Sequence, residues 1–309
     1  MKIAVIIPCY NEELTIAKVI NDFKGELPGA DIYVYDNNSK DNTGKIARDH
    51  GAIVVKESRQ GKGNVVRAMF RDIDADIYIM VDGDDTYPAE AVMELIQPII
   101  NNEADMVIGD RLSNGTYEKE NKRAFHNLGN NLVQGLIGLL FKNEIKDIMT
   151  GYRAFNRFFV KTMPVMSEGF QIETEMSIHA LDKKFRLKEI PIAYRDRPDG
   201  SESKLNTFRD GYRVIKTLLG LFKDYKPLLF FGLISVFSLV LGLLVGIPVI
   251  VEFVLTRFIT KVPSAILAVG FIVVSVISLS CGLILDTISS TSKRNYELYL
   301  NNYKEMQRK

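Results

Sequence analysis

Two stretches of this chain carry no charged residue: Leu228 to Val251 and Val262 to Leu285. A helix crosses the hydrocarbon core of a bilayer with about 20 apolar residues, and each stretch meets that length. Two buried core helices are the competing reading, but core helices rarely run so far without a charge. The expected organisation is a soluble domain over residues 1–205, an amphipathic juxtamembrane helix over 206–226, a transmembrane hairpin over 227–290 and a tail over 291–309.

An even number of spans leaves both ends of the chain on one side of the membrane. Lys216, Lys223 and Lys226 precede the first span, Lys293 and Arg294 follow the second, and the connecting loop holds Glu252, Arg257 and Lys261. The positive-inside bias therefore favours a cell-membrane protein with a cytoplasmic soluble region. "MKIAVIIPCYNEE" has a short, β-branched apolar run and no small-residue cleavage site, so it does not read as a signal peptide. Cys9 lies in the soluble part and Cys281 deep in a span, which argues against a disulfide and suits a reducing compartment. A net charge of +1 gives no global footprint for nucleic acid.

The soluble part alternates strand-like and helix-like stretches. "KIAVIIP", "DIYVYD", "AIVVK", "DIYIMVD" and "ADMVIG" read as strands. Helices are expected over 12–23, 41–50, 63–71 and 88–100, the last with a proline at its start. Such alternation points to βαβ units and a largely parallel sheet, and such sheets bind ligands at the carboxyl ends of their strands. Pro8 to Glu12, Asp36 and Asp82 to Asp85 all fall there. Before the first span, Phe208, Tyr212, Ile215, Leu219, Phe222 and Tyr225 recur at helical spacing, with Arg209, Arg213, Lys216 and Lys223 elsewhere on the wheel. That pattern suits a helix in the headgroup plane, or an ordinary core-facing helix.

"MVDGDDTYP" places Asp82, Asp84 and Asp85 at the end of a buried strand. Like charges this close raise one another's pKa unless something positive sits among them. Either the stretch is a solvated Asp-Gly turn, or Asp82 and Asp84, as a DxD pair, hold Mg²⁺ or Mn²⁺ that bridges to substrate phosphates. The offsets exclude an EF-hand, and neither GxGxxG nor GxxxxGK[ST] is present. His50, His126 and His179 have no metal-ligand spacing.

"IPCYNEE", "YDNNSKDNT", "RQGKGNVVRA" and "VDGDDTYP" occur in order at successive strand ends, and together they resemble the family 2 glycosyltransferases. "GDR", "DIMTGYRAFNR", "GFQIETEM" and "YRDRPDGSESKL" narrow the resemblance to the polyprenyl-phosphate glycosyltransferases, the group similar to dolichyl-phosphate mannose synthase, over residues 1–210. The C-terminal hairpin resembles that of bacterial members.

The resemblance implies an α/β domain of GT-A fold, nucleotide-diphospho-sugar transferase-like and Rossmann-like, and an inverting, metal-dependent transfer from a nucleotide sugar to a polyprenyl phosphate. By resemblance, the donor is UDP-glucose or UDP-N-acetylglucosamine, and the acceptor in a bacterium is undecaprenyl phosphate. It further implies that Pro8, Tyr10, Asn11 and Glu12 line the nucleotide pocket, that Asp36 meets the base or ribose, and that Lys62 lies near the nucleotide. Asp82 and Asp84 would approach the metal and diphosphate, with Asp84 favoured over Asp82 as a direct ligand. Arg111 and Arg123 would bind the acceptor phosphate. Arg197, Ser203 and Lys204 would close over the donor diphosphate, and the stretch with Asp147, Gly151 and Arg153 would shape the sugar pocket.

Some assignments stay two-sided. Glu13 reads as a helix-terminal charge complementing the dipole. Asp85 either caps the turn or touches the metal. Glu173 and Glu175 are either a catalytic pair or braces for arginines beneath the pocket. "HNLGNN" after Arg123 departs from the serine-containing pattern of the mannose synthases, so the role of Asn127 is open and a mannose donor is disfavoured. A processive polysaccharide synthase would carry QxxRW, and this chain has no tryptophan. A non-catalytic nucleotide-sugar-binding scaffold is opposed by the intact Asp82, Asp84, Arg111 and Arg123. A soluble phosphate-binding regulator conflicts with two spans. Hairpin-anchored proteins often associate through their spans, which makes a homo-oligomer possible.

Overall fold

The computed structural model describes residues 1–113, 145–198 and 219–307, with positions 135, 138 and 216 besides. Arg123, Asn127, His126, Ser203, Lys204 and most of the expected amphipathic stretch, including Phe208, Tyr212 and Ile215, lie outside the described residues. The chain divides into two compact units, Met1–Val214 and Ile215–Lys309.

The first unit is built on one sheet of seven strands. In chain order its elements are β1 (Ile3–Cys9), α1 (Ile16–Glu26), β2 (Asp31–Asp36), α2 (Thr43–Asp49), β3 (Ile53–Lys56), α3 (Lys62–Asp72), β4 (Ile77–Met80), α4 (Val92–Ile100), β5 (Met106–Asp110), β6 (Arg153–Asn156), α5 (Arg157–Thr162), α6 (Ile172–Asp182) and β7 (Leu187–Pro191). The strand order is β3-β2-β1-β4-β6-β5-β7. β1, β2, β3 and β4 are parallel, as the βαβ alternation predicts. β6 runs antiparallel between β4 and β5, and β7 then pairs in parallel with β5. The sequence reading did not contain β6 or β7.

The chain leaves β1 towards β2 on one side and returns to β4 on the other. The carboxyl ends of β1 and β4 therefore flank the switch point, where open α/β sheets bind ligands. β6 enters from the opposite direction, and its register with β4 pairs Met80 with Arg153. That register carries Gly151 to the same edge as Asp82.

The core lies between β1, β2 and β4 and the helices that cross them. Ile16, Val19, Ile20 and Phe23 of α1 and Val92, Leu95 and Ile96 of α4 are buried in one apolar cluster with Val5, Ile7, Val34 and Ile79. These helices bury one stripe at i, i+3, i+4 and i+7. α1 begins at Ile16, later than the sequence suggested, because Asn11 takes a left-handed φ of 54° and turns the chain first.

On α6, His179 is nearly buried, with its ring 5.8 Å from that of Phe185 and 6.1 Å from that of Phe159. Burial first, and Lys183 second, push its pKa down to about 4, against a smaller opposing pull from Asp182. The unfolded chain then takes up the proton first as pH falls. Stability should be flat above the ordinary histidine pKa and decline as pH drops from about 6.5 towards 4, by roughly 3 kcal/mol. His179→Phe should remove that slope from a series of thermal unfolding curves. An unchanged slope would place the acid sensitivity elsewhere.

The second unit contains a helical stretch over residues 219–225 and two long helices, α7 (Pro227–Thr256) and α8 (Val262–Gln307). Both are long and apolar enough to cross a membrane. They pack against each other through small residues: a Cβ on Gly242 would lie 3.0 Å from Ile272 Cγ1, and one on Gly282 would lie 3.1 Å from Phe231 Cβ. The Ser235 and Ser275 hydroxyls hydrogen-bond across the pair at 3.0 Å. α8 does not stop at the end of its apolar run. It continues as helix through Lys293 and Arg294 to Gln307, so the expected tail is a helical extension.

Candidate active site

The three aspartates at the end of β4 are each neutralised by a cation from a different element. Lys62 at the start of α3 puts its Nζ 2.5 Å from Asp82 Oδ1 and 2.5 Å from Glu173 Oε1 on α6. Arg197, beyond β7, puts Nη2 2.5 Å from Asp84 Oδ2. Lys18 of α1 pairs with Asp85 at 2.8 Å. The positive charge that the sequence demanded is thus supplied by side chains of the chain itself.

Burial makes these pairs consequential. Burial opposes the Lys62 ammonium, yet the Asp82 and Glu173 carboxylates overcome it and raise its pKa above the usual lysine range. The Asp84 carboxyl is pushed up, by burial first and by Asp82 second, against the pull of Arg197 and the Thr86 hydroxyl. Thr86 Oγ1 donates to Asp84 Oδ1 at 2.7 Å. Glu173 is likewise pushed up by burial against Lys62. Its second oxygen, Oε2, is closed to solvent and has no hydrogen-bond partner.

Backbone economy brings these groups together. Gly83 sits where a Cβ would lie 2.8 Å from Cys9 Sγ, so the end of β4 can lie against the end of β1. Thr15 Oγ1 then donates to the Gly83 carbonyl at 2.6 Å. Gly61, at a φ of 126°, and Gly63 let the Ser167–Glu168 backbone lie directly on the Gly-Lys-Gly turn. Glu175 fixes that covering segment by accepting the Met166 and Ser167 N–H groups at 2.9 and 2.8 Å. Arg67 fixes it from the other side by donating to the Val165 and Met166 carbonyls. Glu173 and Glu175 therefore divide the work: one braces a lysine rather than an arginine, and the other braces a loop.

A Cβ on Gly151 would lie 2.8 Å from Asp82 Cγ. Gly151→Ala should turn the Asp82 carboxylate off Lys62 and lower turnover by about 10²-fold, since a displacement of ångström scale suffices for that. Initial-rate measurements beside a thermal unfolding curve check this. A rate within twofold of the parent would show that the position of Asp82 is not limiting.

Around this cluster lie the other residues singled out from sequence. Pro8 pairs with Tyr35 in the sheet. The Asn11 N–H donates to Ser39 Oγ at 3.0 Å, and the Glu12 N–H donates to Thr43 Oγ1 at 2.8 Å. Asp36 accepts the Ser39 N–H at 2.9 Å. Pro8, Asn11, Glu12 and Asp36 thus lie together at the ends of β1 and β2, and Tyr10 falls between them in the chain. Glu13 does not sit in a helix: its carboxylate accepts from the Asn42 backbone and side chain at 3.0 and 3.1 Å and ties the two loops together.

Arg111, just past β5, is held by Asp147, with Nε 2.7 Å from Oδ2 and Nη2 2.9 Å from Oδ1. Arg153 is fully buried and donates to the Ile148 and Thr150 carbonyls and to Ser177 Oγ. It supports the loop from below. Sequence reasoning missed Lys18, Tyr87 and Tyr194, whose neighbours come from distant segments, and Thr86, which faces Asp84 two residues away. Among the described residues no group of three or more His, Cys, Asp and Glu side chains is arranged to hold a metal. The carboxylates of Asp82 and Asp84 are oxygen donors of the kind a hard cation takes, and each is paired here with a lysine or arginine.

Residues 4–163 match the model of "Glycosyl transferase family 2". The glycosyltransferase AglJ of Haloferax volcanii is 34% identical over 292 residues, covering 93% of this chain and 94% of its own. A dolichyl-phosphate hexose transferase of the same organism is 31% identical over 217 residues, covering 70% of this chain and 92% of its own. Among solved structures, the glucosyl-3-phosphoglycerate synthase of Mycobacterium tuberculosis in complex with Mn²⁺, UDP and glucosyl-3-phosphoglycerate superposes with a TM-score of 0.57 at 22% identity, over 71% of this chain and 79% of that one. That likeness establishes the GT-A-type fold. With strand-end motifs, sheet topology and family match in agreement, the chain belongs to glycosyltransferase family 2.

Proposed function

We propose that this enzyme moves a sugar from a UDP-linked donor, UDP-glucose or UDP-N-acetylglucosamine, to the phosphate of a polyprenyl phosphate, undecaprenyl phosphate in a bacterial membrane. One observation carries the acceptor class. Each of the four carboxylates Asp82, Asp84, Asp147 and Glu173 is engaged by a lysine or arginine. A hydroxyl acceptor needs a base to take its proton, and each of these acids already shares an oxygen with a lysine or arginine. A phosphate monoester arrives already ionised and needs positioning, which the planar fork of arginine supplies.

In this reading Pro8, Tyr10, Asn11, Glu12 and Asp36 hold the nucleoside. Asp82 and Asp84 would hold Mg²⁺ or Mn²⁺, sharing their carboxylates between the ion and the Lys62 and Arg197 side chains, and such an ion would offset charge on the departing diphosphate. Arg197, Ser203 and Lys204 contact the diphosphate, and Lys62 keeps Asp82 in place beside it. Arg111 and Arg123 orient the acceptor phosphate behind the anomeric carbon. The acceptor oxygen forms a bond to that carbon as the bond to UDP breaks, with inversion. The two apolar helices anchor the enzyme in the membrane, with the catalytic domain on the cytoplasmic side.

The test uses purified protein in detergent with undecaprenyl phosphate, Mn²⁺ or Mg²⁺ and radiolabelled UDP-sugars, following label into the organic phase. Transfer from one donor that EDTA abolishes is the expected result. No transfer from any donor, with nucleotide binding intact, would overturn the reading in favour of a binding scaffold.

A further inference from the structure

Arg111 is held on three sides. Asp147 is wholly buried and grips the guanidinium edge through two parallel hydrogen bonds of 2.7 and 2.9 Å, while its Oδ2 also accepts the Arg111 backbone N–H at 3.1 Å. The guanidinium carbon lies 6.0 Å from the Tyr87 ring centroid and 5.7 Å from that of Tyr194. Nη1 donates to Tyr87 Oη at 3.4 Å. Asp147 is braced in turn, because Glu189 Oε1 accepts the Lys146 and Asp147 N–H groups at 2.9 and 3.1 Å.

Tyr87 extends this assembly to the other side of the cleft. Its hydroxyl accepts the Gly151 N–H at 2.9 Å, and Gly151 is the residue against which the Asp82 carboxylate packs. A short chain of contacts, Asp147–Arg111–Tyr87–Gly151–Asp82, therefore joins the arginine to the DxD pair.

Stability alone is a poor reason for such an arrangement. A buried ion pair often adds nothing over an apolar replacement of similar size, because desolvation offsets the attraction. Fixing a flexible arginine in advance, by contrast, removes ordering entropy from the step in which it meets a ligand.

We infer that Asp147 and Tyr87 are positioning residues for the transfer: Asp147 sets the orientation of Arg111 towards the acceptor phosphate, and the Tyr87 hydroxyl sets the spacing between Arg111 and Asp82. This inference rests on the lipid-phosphate reading above.

The experiment compares full-length wild type, Asp147→Asn and Tyr87→Phe. Kinetics are measured against each substrate separately, and farnesyl phosphate, a soluble short polyprenyl phosphate, is titrated by calorimetry. For Asp147→Asn, KM for undecaprenyl phosphate and Kd for farnesyl phosphate should both rise by about 10-fold to 10²-fold. KM for the UDP-sugar should stay within twofold. For Tyr87→Phe, which keeps the ring, kcat should fall by about tenfold with the acceptor KM little changed. The inference is overturned if both substrates' KM values move together with a lowered Tm, or if neither variant changes. If Asp147→Asn does not fold, Tyr87→Phe still decides the spacing role and Asp147→Glu decides the orientation role. If wild type binds no farnesyl phosphate and transfers to no lipid phosphate, the acceptor reading itself fails and takes this inference with it.

Discussion

Asp84→Asn should lower the transfer rate by about 10³-fold while leaving the fold at least as stable as before. The two effects separate because they have different origins. Asp84 is 6% exposed, and burial together with Asp82 already disfavours its charge. Asparagine keeps the shape, can still face the Thr86 hydroxyl, and removes a buried charge whose desolvation is costly. What it loses is the anionic partner of Arg197, whose side chain is 25% exposed and can turn to water, and an anionic oxygen able to hold a divalent cation. Initial rates at saturating substrate and a thermal unfolding curve on the same preparation separate the two. A rate within tenfold of the parent would remove Asp84 from the metal site. A large drop in Tm would mean that the charge holds the fold.

Lys62→Met should have the opposite balance, with a stability loss of about 3–5 kcal/mol. Lys62 is the cation shared by Asp82 and Glu173, and its side chain is 9% exposed. Removing it leaves two carboxylates facing each other at the start of a helix, one of them with an oxygen that already lacks a partner. Adding Glu173→Gln should recover part of the loss, because one of the orphaned charges disappears. Mn²⁺ should raise the Tm of Lys62→Met more than that of wild type, since the ion would replace the missing positive charge beside Asp82. An unchanged Tm in the single variant would contradict the bridging role. It would also return Lys62 to the simpler part of a nucleotide contact.

What could be read before the structure follows the range of the interactions. β1, β2 and β4 announce themselves through apolar runs that end in polar turns, and both spans through the absence of charge. The order of the strand-end motifs sufficed for the fold, because each motif is local. β6 escaped notice because its first residue is Arg153, which reads as solvent-facing and is fully buried. β7, "LKEIP", has two adjacent charged residues at its centre and a proline at its end, and reads equally well as a loop. The extension of α8 was missed because hydropathy, rather than helix punctuation, set the boundary. No glycine or proline occurs between Leu283 and Gln307 to stop the helix.

The candidate site divides in the same way. Asp82 and Asp84 were legible as a pair one residue apart. Their counter-charges were not: Lys18, Lys62 and Arg197 come from α1, α3 and the segment after β7, and no sequence spacing links them. Asp147 illustrates the limit. Its place in a motif implied a sugar pocket, and nothing in that motif showed that its carboxylate pairs with Arg111. The Glu13 reading failed because α1 starts three residues beyond it, at Ile16.

The central claim is that the acceptor is a lipid phosphate and the bond broken is the one between the anomeric carbon and UDP. The most direct measurement is the identity of the nucleotide released, by chromatography, together with the mass of the lipid product. The expected result is UDP in equal amount to a lipid carrying one phosphate and one sugar. UMP, with a lipid carrying two phosphates and a sugar, would contradict it, because sugar phosphate rather than sugar would then have been transferred.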